Sequence, residues 1–99
     1  MIEYLYDAIR AVAGQEIVVN AFITDDEEQV ITEGCYLAIH GLDGVEMITK
    51  VEGVYLPENL MWEFTVPAEA TQGLSGRHWY CIQHDENNLC FKQPMYLIK

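Results

Sequence analysis

An all-β fold, a small antiparallel sandwich of about seven short strands, is what this sequence predicts, and three observations predict it. Strand-forming runs with period-two alternation recur along the chain, most clearly over residues 16–24, 35–40, 60–66 and 77–84. Gly, Pro, Asp and Asn fall between these runs, where turns need them. No long helical pattern separates one strand from the next, which excludes alternating β/α architectures. The succession over residues 60–98, strand, short crossover, strand, turn, strand, is the order of an immunoglobulin-like sandwich.

The 99 residues read as one domain, 1–99, without internal repeat, low-complexity tract or linker. Residues 1–13 form an arm, an edge strand or a short helix that ends at Gly14. Over 16–24 the set Ile17, Val19, Ala21 and Ile23 is uniformly apolar and faces the core, with Val18, Asn20, Phe22 and Thr24 opposite. Asp25-Asp26-Glu27-Glu28 is a polar turn, and Val30-Ile31 a short strand or bridge. In 35–40, Cys35, Leu37 and Ile39 alternate with Tyr36, Ala38 and His40. Gly41-Leu42-Asp43-Gly44 is a hairpin turn, 45–51 the returning strand, and 51–59 a looser stretch around Gly53 and Pro57.

In 60–66, Leu60, Trp62, Phe64 and Val66 point one way, and the two large aromatics belong in the core. Pro67 stops that strand and opens a turn of helix over 68–74, with Gly73 able to end it. The strand 77–84 follows, then the turn Asp85-Glu86-Asn87-Asn88, a return over 89–92 and a last strand over 95–98. Pro94 cannot donate to a ladder and marks an edge or a bulge. The expected core is Ile17, Val19, Ile23, Leu37, Ile39, Trp62, Phe64 and Ile82.

The formal charge of −11 comes from 16 acids against 5 bases. Such a surface repels phosphate, so nucleic acid and anionic membranes are excluded as partners. Residues 1–7 lack the basic and long apolar segments of a secretory signal, and no apolar run is long enough to span a membrane. The cysteines, Cys35, Cys81 and Cys90, are odd in number, and reduced thiols in a cytoplasmic protein are the expected state.

No catalytic or cofactor-binding constellation emerges. Cys81 and His84 have a Cys-x-x-His spacing, with His78 and Cys90 nearby, but a second close ligand pair is missing and strand alternation sets Cys81 and His84 on opposite faces. Cys81 and Cys90 flank a predicted hairpin, and Cys35 neighbours Cys81 if their strands pair. The acidic turn 25–28 lacks the spaced ligands of a calcium loop, and Gly41–Gly44 has neither Lys nor a following helix to cradle phosphate. The expectation is a protein that is not an enzyme and needs no metal or cofactor.

What remains is an excess of aromatics: Tyr4, Tyr6, Tyr36, Tyr55, Trp79, Tyr80 and Tyr96 cannot all point into so small a core. Such side chains are enriched where proteins meet proteins. The N-terminal segment and the last strand are the expected contact elements, through Tyr4, Tyr6, Ile9, Met95 and Tyr96.

A further set of motifs carries a resemblance. Ala13-Gly14 leads into a long strand, Thr24-Asp25-Asp26-Glu27 turns it, Thr32-Glu33-Gly34 precedes the next strand, and Trp62-Glu63-Phe64-Thr65-Val66-Pro67 is followed by Leu74-Ser75-Gly76-Arg77-His78-Trp79-Tyr80-Cys81-Ile82. Over residues 13–98 this resembles the immunoglobulin-like modules of tailed-phage and prophage structural proteins, in particular the N-terminal domain of phage baseplate upper proteins. The resemblance implies a small virion or assembly module without catalytic residues, binding itself or other virion components, with homo-oligomers among the expected forms and the virion as a place beyond the cytoplasm. A second function also meets the charge: an acidic inhibitor or DNA-mimic protein on a basic partner. The acids here are spread among turns, whereas a mimic aligns them along one surface.

Overall fold

The computed structural model describes residues 9–25, 27–85, 87–88 and 93–98. In chain order the elements are β1 (Ile9–Val12), β2 (Ile17–Ala21), β3 (Cys35–His40), β4 (Met47–Glu52), β5 (Val54–Leu56), β6 (Met61–Val66), the single-turn helix α1 (Ala68–Thr71), β7 (Gly76–His84), β8 (Asn87–Asn88) and β9 (Gln93–Ile98). They make two sheets. The larger runs β1-β9-β7-β3-β4, with β8 paired to β7, and the smaller runs β2-β6-β5. This is the all-β, immunoglobulin-like sandwich that the alternation predicts.

Two details differ from the expectation. The strand count is nine among the described residues, because the looser stretch 51–59 contains the end of β4 and all of β5, and the turn after His84 contains the short β8. One pair is parallel: β1 runs beside β9 with Ile9 opposite Met95 and Val12 opposite Ile98. The reason is the hand-over at Gly14, whose φ of 81° lets the chain leave the larger sheet and enter β2 in the smaller one. The Gly14 amide donates to Thr71 Oγ1 at 3.0 Å, and the Ala13 amide extends the β1–β9 ladder to the Ile98 carbonyl at 2.7 Å. Residues 9–12 are therefore an edge strand.

The core lies between the sheets and holds every residue expected there: Ile17, Val19, Ile23, Leu37, Ile39, Trp62, Phe64 and Ile82 are buried, joined by Val66, Tyr80, Met95 and Leu97. Trp62 stacks on Phe64 at 6.1 Å between ring centroids and meets Tyr55 at 5.7 Å. Its indole Nε1 donates to the Ile31 carbonyl at 2.6 Å, so the polar edge of the ring is satisfied inside the core. Leu60, expected beside Trp62 on the core face, is instead exposed. It ends the β5–β6 turn at φ 56°, before the alternation of β6 begins.

Gly53 is where the chain changes sheets, between β4 and β5. A Cβ there would stand 2.5 Å from Phe64 Cε1 and 2.7 Å from Trp62 Cε3, so only glycine lets the backbone pass over these rings. The acidic turn has a structural use as well: Asp25 Oδ1 accepts the amides of Glu27 at 2.8 Å and Gln29 at 2.9 Å. Asp43 Oδ1 does the same in the β3–β4 hairpin, for Val45 at 2.9 Å and Glu46 at 3.2 Å.

Candidate functional site

Strand alternation divides each residue of the larger sheet between the core and the outside. The ladder registers line up the outward positions. Arg10 on β1 lies opposite Tyr96 on β9, which lies opposite Arg77 on β7. In the next row Pro94, Trp79 and His40 are aligned across β9, β7 and β3, with Met47 of β4 at the end. Beyond these lie Cys81, Ala38 and Lys50, and then Gln83, Tyr36 and Glu52. His40, Ala38 and Cys81, at the middle of this array, are buried, so the exposed part of the face lies along β1, β9 and the start of β7 and again at β4.

On this face three cations lie over three aromatic rings. The Arg10 guanidinium is 5.9 Å from the centre of the Tyr96 ring, Arg77 is 5.1 Å from Trp79, and the Lys50 ammonium is 4.6 Å from Tyr36. The aromatic members are half-buried and the cations exposed. The faces of the rings attract the cations, each worth roughly 0.5–1 kcal/mol at an exposed site, and this holds long side chains in place before anything binds. Three of the chain's five bases are thus gathered on one face of a molecule with sixteen acids. Among the described strand residues of that face Glu52 is the one acid.

The pairs have different origins in the sequence. Arg77 and Trp79 share a face because they are two apart in a strand, and that much can be read from the spacing. Arg10 meets Tyr96 only through the parallel β1–β9 pairing, and Lys50 meets Tyr36 only through the register of β3 on β4, for which local sequence has no signal. The cations were therefore missed while the aromatics Tyr36, Trp79 and Tyr96 were not.

The expected contact residues divide. Tyr96 sits in the cluster. Met95, its neighbour, is fully buried, because alternation turns 95 and 97 into the core and 96 and 98 outward; it is a core residue and not a contact residue. Ile9, paired with Met95, is half-buried and packs on the core. Tyr4 and Tyr6 lie outside the described residues. Tyr80 is buried and Tyr55 packs on Trp62, so neither adds to an outer face.

The thiols and imidazoles are placed apart. The register sets Cys35 opposite His84 and Cys81 opposite Ala38, so the two thiols are on opposite faces of the sheet, and both are free and buried. Cys90 lies outside the described residues. Burial, reinforced by the Asp85 carboxylate, pushes the Cys35 thiol up to about 11, the reverse of what activates a nucleophile. Cys81 Sγ meets His40 Nε2 at 3.7 Å, and both are buried. His84 Nε2 lies 3.8 Å from Asp85 Oδ2, and His78 turns Nδ1 to the Gly76 carbonyl at 3.3 Å. Among the described residues no three His, Cys, Asp or Glu side chains come together as a metal site. A shallow hollow of about 360 Å³ beside the β3–β4 hairpin is lined by Gly41, Leu42, Asp43, Glu46, Ile48 and His78, but its Asp43 carboxylate is engaged by the turn amides. Among the described residues no helix is long and apolar enough to cross a membrane.

No family model and no curated protein matches this chain. Its structure is similar to that of the Lin-41 filamin domain, with a TM-score of 0.58, 13% sequence identity, 97% of this chain covered and 87% of that one. At that identity the likeness is one of fold alone, that of an immunoglobulin-like sandwich.

Proposed function

We propose that this chain is a non-catalytic contact module that docks another protein on the outer face of its five-strand path. The observation that carries the reading is the set of three cation–aromatic pairs on that face. Arg, Trp, Tyr and Met are the side chains enriched at protein interfaces, and Arg10, Arg77, Trp79, Tyr96 and Met47 put all four kinds within neighbouring rows. The fold lends support of a general sort, since sandwiches of this kind offer sheet faces and edges and not a reactive cleft. The narrower form of the proposal is a structural or assembly component of a phage or prophage particle, and its support is the resemblance of turns and strands over residues 13–98.

The test is site-specific photo-crosslinking in cells of the native source. A benzophenone side chain at Trp79 or Tyr96 is expected to yield a discrete protein adduct, and the same group at Val18, on the outer face of the smaller sheet, is not. Equal labelling from both faces, or from neither, overturns the reading. For the narrower form, the chain should co-purify with particles released on prophage induction, and its absence from them removes that form.

A further inference from the structure

We propose that the face takes a short, extended, acidic segment of a partner protein. The inference rests on the contact reading above and adds the chemistry of the partner.

Size is the first argument. At about 4.8 Å between strands and about 3.3 Å per residue, the five-strand path is roughly 19 Å across and its six-residue strands roughly 20 Å long, at most on the order of 400 Å², and less than that is open because His40, Ala38 and Cys81 at its middle are buried. A standard interface buries about 800 Å² on each partner, so the face is too small for two folded proteins to hold each other by it alone. An extended segment of about six residues spans it.

Charge is the second argument. The face is a positive island on a chain of net charge −11. A second copy of the chain would bring −11 against −11, and a long polyanion such as nucleic acid would be repelled by everything around the island. A short segment touches the island and little else. A guanidinium held beside a ring by its charge still has N–H groups to offer, and a carboxylate accepts two hydrogen bonds from them. Among the described residues none of the three cations is held in an ion pair. The positions around the Arg10–Tyr96–Arg77 row are apolar: Val12 is 41% exposed and Ile98 53%, with Pro94 half-buried, and Met47, 46% exposed, ends the next row on β4. A segment that alternates acidic and apolar residues therefore fits better than a purely acidic one.

The test uses a fluorescein-labelled ten-residue peptide of alternating glutamate and leucine, its glutamine–leucine counterpart, and fluorescence anisotropy at low and physiological salt. The glutamate peptide is expected to bind at least about tenfold more tightly than the glutamine peptide, and less tightly as salt rises. R10Q/R77Q should weaken it by a further factor of roughly ten with an unchanged thermal melt, and Val18→Gln should leave it unaltered. Equal binding of the two peptides overturns the acidic preference while the contact reading stands. Displacement of the peptide by a single-stranded oligothymidylate makes the face a nucleic-acid surface and overturns the proposal. So does a dimer, seen by sedimentation, that R10Q/R77Q dissolves. If neither peptide binds but Trp79 still crosslinks, the acidic inference falls alone; if the crosslink is missing too, both fall.

Discussion

The indole Nε1 of Trp62 donates to the main-chain carbonyl of Ile31 across the sandwich at 2.6 Å. The bond ties the strand that carries the aromatic core to the loop after β2, thirty-one residues earlier. Trp62→Phe keeps an aromatic ring but leaves the Ile31 carbonyl buried without its donor, at a cost of about 1–3 kcal/mol. Urea unfolding followed by circular dichroism should show the loss as a lower midpoint with an unaltered slope. Trp79→Phe, on the outer face and half-buried, is the comparison and should move the midpoint by less than about 1 kcal/mol.

At Gly53 the backbone crosses from one sheet to the other against the rings of Phe64 and Trp62, which stack on each other. An alanine methyl would press into them at well under contact distance, and neither ring has room to retreat within the core. Gly53→Ala should therefore destabilise the protein by about 1–3 kcal/mol, the range for overpacking a filled interior. Differential scanning calorimetry would register it as a fall in Tm with the unfolding enthalpy nearly conserved.

How much of this was legible in the sequence depended on the distance over which each feature is set. The inward faces of β2, β3 and β6 follow from alternation within each strand, and apart from Leu60 the residues that alternation assigned to the core are buried there. The single turn of helix after Pro67 follows from Pro and Gly placement, and the structure has α1 at Ala68–Thr71. Leu60 was misread because a turn residue at positive φ sits next to a strand without breaking its apolar pattern. Met95 was misread because Pro94 made the last strand look peripheral. In the structure Met95–Leu97 is flanked by β1 on one side and β7 on the other, so this part of the strand is interior to the sheet. The cation–aromatic face was the least legible. Two of its three pairs join residues that pairing and register alone bring together.

The raised Cys35 thiol makes stability depend on pH in one direction. Its ordinary value is 9.0 and its value in the fold about 11, from burial first and the Asp85 carboxylate second. Below pH 9 the thiol is protonated in both folded and unfolded chains and its contribution is whole. Between 9 and about 11 the unfolded chain gives up the proton and the folded chain keeps it, so stability declines as pH rises. Cys35→Ala removes this component. Urea midpoints measured from pH 8 to 11 should fall less steeply for the variant than for the native chain, and parallel curves would remove the argument. Cys35 and Cys81, both buried, should also stay silent toward a thiol reagent at pH 8 until urea is added.

Met95 and Tyr96 are consecutive, yet one is in the core and the other is on the candidate face. Met95 packs among Leu97, Ile9 and the inner side of β7, where truncation leaves a void that the hydrogen-bonded strands fill only partly by moving inward. Met95→Ala should cost about 2–5 kcal/mol. Tyr96→Ala removes an outward ring and the cation–π contact of Arg10, worth at most about 1 kcal/mol at an exposed site. The two variants should therefore separate in opposite ways: Met95→Ala lowers the unfolding midpoint and spares whatever of the protein remains folded for binding, while Tyr96→Ala leaves the midpoint nearly in place and weakens the acidic peptide. If Tyr96→Ala proves the more destabilising of the two, the alternation that puts the cation–aromatic pairs on one outer face is wrong, and the contact reading goes with it.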